Sequence, residues 1–146
     1  MAIVSLVKHI FFIKEVMMGK AVRYYSRSGN TKALAAAIAN GASCTAVSVD
    51  EAGAEIKEPV DTLFIGGGLY AYGIDKKLKA YISTLDSSKV KKAAVFSTSW
   101  LSKHALDLLK DALKGRGIEV VDETCYAKNM PGVNELKSAE EFGKRY

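Results

Sequence analysis

The chain has 146 residues, 49% of them hydrophobic and 25% charged, which suits one ordinary globular domain and excludes both a multidomain protein and a disordered tail. Its formal charge is +5, from 21 Lys and Arg against 16 Asp and Glu spread along the chain, so an anionic partner is allowed but nucleic acid is not demanded. Only Cys44 and Cys125 are present, without a C-x-x-C, which excludes a disulfide framework and a cysteine zinc site and points to a reducing, cytoplasmic setting.

Residues 1–18 are the most apolar stretch, yet Lys8, His9, Lys14 and Glu15 interrupt them before a membrane span can form. A secretory signal is also disfavoured, because the positive charges lie inside the apolar stretch and Met17-Met18 ends it. We read 1–18 as an N-terminal extension, an arm or short helix, preceding a domain over 19–146. From Lys20 onward, apolar β-prone runs alternate with helical patterns, the signature of βαβ units on a parallel sheet. The runs predict strands over Ala21–Tyr25, Thr45–Val49, Thr62–Ile65, Ala93–Phe96 and Ile118–Val121. Helices are predicted over Thr31–Asn40, ended by Gly41; over Asp75–Leu85, capped by Asp75; and over Ser102–Lys114, stopped at Gly115. A last helix is expected to open at the capping box Ser138-Ala139-Glu140-Glu141. Residues 50–60 contain Pro59 and few large apolar residues, so this crossover should be short or irregular. Arg23 is out of place in a strand buried on both faces and should lie at a core edge or pair with a carboxylate.

Ligands of open parallel sheets bind outside the carboxyl ends of the strands, so the loops after strands carry the functional reading. After the first strand, Ser26-Arg27-Ser28-Gly29-Asn30-Thr31 runs straight into a helix; alternating hydroxyls, a glycine and a helix N-terminus suit a phosphate or another anion. The same residues also suit a plain helix cap. After the third strand, Gly68, Leu69, Tyr70, Ala71, Tyr72 and Gly73 combine close backbone approach with two flat rings, where a planar ligand could stack or the tyrosines could face inward. After the fourth, Ser97, Thr98 and Ser99 precede Trp100, the single tryptophan of the chain. The P-loop and G-x-G-x-x-G patterns both fail here, at Ile74-Asp75 and at Ala71 respectively. His9 and His104 lack metal-ligand spacing, no G-x-S-x-G is present, and both cysteines fall in or beside apparent strands, so neither a metal nor a catalytic side chain is assigned.

Tyr24-Tyr25-Ser26-Arg27-Ser28-Gly29-Asn30-Thr31 resembles the opening of flavodoxins, whose first strand ends in a T/S-x-T/S-G-x-T loop. The resemblance runs on through Asp61–Gly66, the Tyr70 loop, Lys92–Ser97 and the terminal helix. It implies a flavodoxin-like three-layer α/β fold, a five-stranded parallel sheet of order 2-1-3-4-5 with helices on both faces, and one noncovalent FMN. Carried over, Ser26, Ser28, Asn30 and Thr31, with the backbone of Arg27 and Gly29, would take the phosphate. Tyr70 would lie against the isoalloxazine, with Leu69 and Ala71 at its edge; Ser97, Thr98 and Ser99 would face the pyrimidine side and Trp100 would cover the ring. The implied function is a redox flavoprotein, an electron carrier or a small oxidoreductase for a quinone-like or other organic acceptor; the alternative is the same fold as a binding or regulatory module without flavin. Its partner would be a redox protein or a small acceptor, and a homodimer is left open. Three departures stand out. Ala71 replaces a common glycine in a peptide that reorients on flavin reduction, Trp100 stands where an acid is common, and the pI is near 9.1 where carriers of this family are strongly acidic. Together they favour two-electron chemistry over a one-electron shuttle.

Overall fold

The computed structural model describes residues 19–146, so the reading of 1–18 as an arm or short helix lies outside the described residues. The elements in chain order are β1 (Lys20–Tyr25), α1 (Asn30–Ala42), β2 (Ala46–Ser48), β3 (Val60–Gly67), α2 (Lys76–Ser83), β4 (Val90–Ser99), α3 (His104–Gly115), β5 (Glu119–Val120), β6 (Cys125–Lys128) and α4 (Val133–Arg145). The strands pair in parallel in the order β2-β1-β3-β4-β5, as expected. The fifth position is shared by two segments: β5 pairs with Lys92-Ala93 of β4, and β6, which the sequence reading missed, pairs with Phe96 to Ser99. Polar Asp122 and Glu123 interrupt the apolar run that would have marked one continuous strand.

Alternate residues of the central strands enter opposite faces. Ala21, Leu63, Ile65, Ala93 and Val95 pack with Leu78 and Ile82 of α2 and Leu106, Leu109 and Leu113 of α3. Val22, Tyr24, Phe64 and Phe96 pack with Leu34 and Ile38 of α1 and Ala139 and Phe142 of α4. Each fully buried Leu or Phe contributes about 1.5–3 kcal/mol, so these two layers carry most of the stabilisation.

Three helix limits differ from expectation. Helix α1 runs through Gly41 to Ala42 and is closed by Ser43 in the left-handed region at φ 57°. Gly41 serves packing instead: a β-carbon there would lie 1.8 Å from the carbonyl oxygen of Glu140. Similarly, α3 includes Gly115 and the left-handed residue beyond it is Gly117, at φ 76°. Helix α4 starts at Val133 after Gly132, so Ser138-Ala139-Glu140-Glu141 is mid-helix and not a capping box. Ala139 and Phe142 are nevertheless buried, and Lys20 Nζ donates to the carbonyl of Gly143 at 3.0 Å, satisfying the last turn.

The 49–59 crossover contains no helix. Arg23 explains how it is held. The side chain is buried, and among the described residues it forms no ion pair; Nε donates to the Ala54 carbonyl at 2.7 Å and Nη1 to the Val22 carbonyl at 3.0 Å. The Tyr81 hydroxyl donates to the same Ala54 oxygen. Of the two expectations for Arg23, a core edge or a carboxylate partner, neither describes it: it is buried on the Ala54 carbonyl, which the irregular segment leaves free to accept, and on the Val22 carbonyl of its own strand. Arg23→Met is therefore expected to destabilise the fold by about 1–3 kcal/mol in urea unfolding, with amide exchange accelerated first in 49–59. Uniform acceleration across the sheet would contradict this.

Candidate functional site

In this strand order the chain reverses direction between β1 and β3, so their carboxyl ends flank the crevice. The loop after β1 ends at Gly29, with φ 93°, a conformation that L side chains rarely adopt. Gly29 is the N-cap of α1, which has neither a side-chain cap nor an acidic residue in its first turn. Helix α2 in contrast is capped by Asp75, whose Oδ1 accepts the Lys77 N–H at 2.8 Å. Around the bare α1 terminus stand three hydroxyls. Ser26 Oγ accepts the Gly29 N–H at 3.0 Å, Ser28 Oγ lies 3.4 Å from the Asn30 nitrogen, and buried Thr31 shares a 2.6 Å hydrogen bond with Thr98. The Gly29 and Asn30 amides are held only by these serine hydroxyls, and a helix N-terminus with hydroxyls and no acidic residue in its first turn forms an anion-accepting end.

The loop after β3 turns back on itself. Tyr70 and Gly73 exchange backbone hydrogen bonds of 2.7 and 2.9 Å, leaving Ala71 and Tyr72 as the two turn residues, both left-handed at φ 48° and 62°. Such turns favour Asn-Gly, and each L side chain held there costs about 1–2 kcal/mol. The strain presents Tyr70 inward and Tyr72 outward, Tyr72 being 85% exposed. Leu69 and Ala71 border an open cleft of about 750 Å³, together with Arg27, Tyr70, Ile74 and Asp75.

All three loops converge. The Arg27 N–H donates to the Tyr70 hydroxyl at 3.2 Å, and the Arg27 guanidinium lies 3.9 Å from the centre of the Tyr70 ring. A β-carbon on Gly68 would sit 3.1 Å from that ring and 3.4 Å from the Thr98 carbonyl oxygen. Thr98 is thereby joined to the first loop through Thr31 and to the second through Gly68. Ser97 turns away, its hydroxyl buried on the Gly67 carbonyl at 2.7 Å, and Ser99 Oγ donates to the Ser102 carbonyl. Trp100 is 61% exposed at the rim.

Asp75 is the residue whose role reaches beyond its expected cap. Its Oδ2 accepts from Arg27 Nε at 2.9 Å and Nη2 at 2.5 Å, tying the first loop to α2. Burial pushes its carboxyl up, but the Lys77 amide and the Arg27 guanidinium outweigh that and hold it below the usual carboxylate range. A depressed folded-state value means the tie stabilises fully above the ordinary Asp pKa, about 3.9, and is lost as pH falls through the folded value. Asp75→Asn keeps the cap and removes the charge. The difference in urea midpoint between wild type and this variant is expected to be constant above about pH 5 and to shrink below the ordinary Asp range; a difference unchanged to acid pH would show that it does not come from the carboxylate charge. Arg27 and Asp75 are separated by 48 positions, so no local signal gives the pair. Tyr126 was also missed: its hydroxyl donates to the Ser99 carbonyl at 2.8 Å and steadies the third loop from β6.

Neither cysteine is poised for nucleophilic chemistry. Burial pushes the Cys125 thiol up to about 12 and raises that of Cys44. Among the described residues no group of three His, Cys, Asp or Glu could hold a metal, and no helix is long and apolar enough to cross a membrane.

Residues 21–126 match the flavodoxin domain family. The chain belongs to this family. An uncharacterised protein of Methanocaldococcus jannaschii is 27% identical to it over 133 residues, covering 79% of this chain and 88% of that protein. Among solved structures, a flavodoxin from the domain Archaea superposes with a TM-score of 0.78 at 24% identity, over 88% of this chain and 95% of that one. The rubredoxin oxygen:oxidoreductase of the anaerobe Desulfovibrio gigas gives a TM-score of 0.75 at 16% identity over 86% of this chain, which spans only 34% of that larger protein. At such identities the structural likenesses speak for the flavodoxin fold. They also show it both as a whole chain and as a part of a larger one.

Proposed function

We propose that this flavodoxin domain binds FMN noncovalently and transfers electrons between a donor and a protein or small organic acceptor. The observation that carries the reading is the bare N-terminus of α1 at the sheet's switch point, with Gly29 at φ 93° and the hydroxyls of Ser26, Ser28 and Thr31 around it. Asn30 and the backbone of Arg27 and Gly29 complete a phosphate cradle. Tyr70 supplies a flat face, Leu69 and Ala71 its border, and Gly68, Tyr72 and Gly73 shape the turn that aims it. The backbone of Ser97, Thr98 and Ser99 faces the polar edge of the ring, and Trp100 closes the rim. The flavin would supply the redox chemistry; the protein's part is to bind, orient and shield it.

The left-handed backbone at Ala71 and Tyr72 and the scarcity of acids near these loops favour an oxidoreductase with its own acceptor over a dedicated one-electron shuttle. Steady-state turnover with NADH or NADPH and a quinone separates the two roles. A second reading, a binding module without flavin, is favoured by one feature. Arg27 and Tyr70 already bridge the loops to one another. The deciding experiment is the visible spectrum of the purified protein followed by titration with FMN. A yellow protein, or one that takes up FMN more tightly than riboflavin, supports the flavin reading; a colourless protein that takes up neither overturns it.

A further inference from the structure

The large apolar side chains most exposed among the described residues are Tyr72, Trp100, Leu101, Met130 and Val133, at 60–85%. Scattered exposure of this kind is ordinary, but these five are not scattered. They occupy the loops after β3, β4 and β6 and the first residue of α4, all at the carboxyl end of the sheet. Neighbouring loops are held side by side. The Asn129 N–H donates to the Ser99 carbonyl at 3.3 Å, which keeps Met130 beside Trp100-Leu101. The proposed flavin site accounts for Tyr72 and Trp100 and leaves Leu101, Met130 and Val133 without a function.

The exposed charges around the patch are mostly basic, with Glu135, whose carboxylate lies against Gly132, as the acidic exception. Exposed Lys76 follows the Tyr72 turn, Lys103 follows Leu101 and Lys128 precedes Met130. The one carboxylate in these three loops, Asp75, is buried and already paired with Arg27. Other acidic residues gather mainly on the β2 side, in the crossover carrying Asp50, Glu51, Glu55 and Glu58, while Asp107 lies in the first turn of α3 and Glu135 in that of α4. An apolar centre with a largely basic rim is the layout of an interface with a complementary acidic protein. A nucleic acid would want cations at the centre of its contact, where this face puts aliphatic side chains.

We propose that this end of the molecule is the docking face for a redox partner protein that presents carboxylates around an exposed apolar patch. The proposal rests on the flavin reading for the word redox, because the patch surrounds the site where the ring would sit; docking itself does not require flavin. The apolar centre would exclude water and bring the two redox groups close. The lysine rim would steer the approach.

The test uses the full chain, as purified and after FMN addition, with a small acidic iron–sulfur electron carrier as probe and a basic c-type cytochrome as control. Binding is followed by calorimetry and by amide chemical shifts. The expected result is selective binding of the acidic carrier, with shifts centred on Leu101 and Met130, weakened about tenfold or more between about 50 mM and about 500 mM salt. Lys103→Glu with Lys128→Glu should weaken it at least about tenfold, and Leu101→Ser with Met130→Ser should do likewise, with FMN uptake unchanged in both. No binding of the acidic carrier at low salt, equal binding of the cytochrome, indifference to the variants, or tighter binding of DNA or anionic vesicles at this face would each overturn the proposal. Docking by a colourless protein would sustain the surface and remove the flavin; a yellow protein that fails to dock would do the reverse.

Discussion

Gly29→Asp is expected to weaken FMN by about two decades while weakening riboflavin only modestly. A carboxylate about 5 Å from one unit of phosphate charge, at an effective dielectric of 20, repels it by about 3 kcal/mol, and about 1.4 kcal/mol is tenfold in affinity. Space is not the obstacle, since no atom lies within 4 Å of a β-carbon placed on Gly29. The backbone is strained for any L residue at φ 93°, so part of the effect is conformational. Gly29→Asn separates the two. It carries the same strain and size without the charge, and should lose FMN and riboflavin to the same modest degree. Titrating both ligands into wild type and both variants is the measurement; an aspartate variant that loses the two ligands equally would show that this loop does not hold a phosphate.

A second large effect should appear far from the site, where α1 and α4 touch backbone to backbone. Gly41→Ala is expected to destabilise the protein by about 1–3 kcal/mol net, although alanine is the better helix former by about 1 kcal/mol. The added methyl would lie 1.8 Å from the Glu140 carbonyl oxygen, and across the same contact a methyl on Gly143 would lie 2.1 Å from that of Ile38. Neither oxygen belongs to a flexible side chain, so the helices must separate, and Phe142 must give up part of its edge contact with Phe64 at 5.5 Å. Gly115→Ala supplies the control. Gly115 is also helical but has nothing within 4 Å of its β-carbon, so there propensity acts alone and the variant should be slightly more stable. Urea midpoints of the two variants should therefore move in opposite directions. Movement in the same direction would mean that the α1–α4 contact relaxes at little cost. Because α1 aims its N-terminus at the site, a displaced helix should also weaken FMN in Gly41→Ala.

The two results bear on what could be read without coordinates. By itself, the sequence determined the alternation of strands and helices, the strand order that the Ser26–Thr31 resemblance implies, the irregular second crossover and the three loops that meet at the site. These follow from local periodicity, from turn residues and from a contiguous motif, all of which act over a few residues. Tertiary structure alone decided the rest. Gly41 reads as a helix stop because glycine usually ends helices, yet its selection comes from a helix about 100 residues further on. The capping-box letters at Ser138 are present, but α4 extends back to Val133 and they fall mid-helix. Arg23 is buried without a carboxylate because the non-helical crossover that covers it offers the Ala54 carbonyl as an acceptor, beside that of Val22 in its own strand. The tie from Arg27 to Asp75 and Tyr70, and the gathering of Leu101, Met130 and Val133 on one face, join residues that are remote in the chain. A local pattern sets which residues are apolar, charged or turn-forming; only the packing of the sheet brings their side chains within reach of one another.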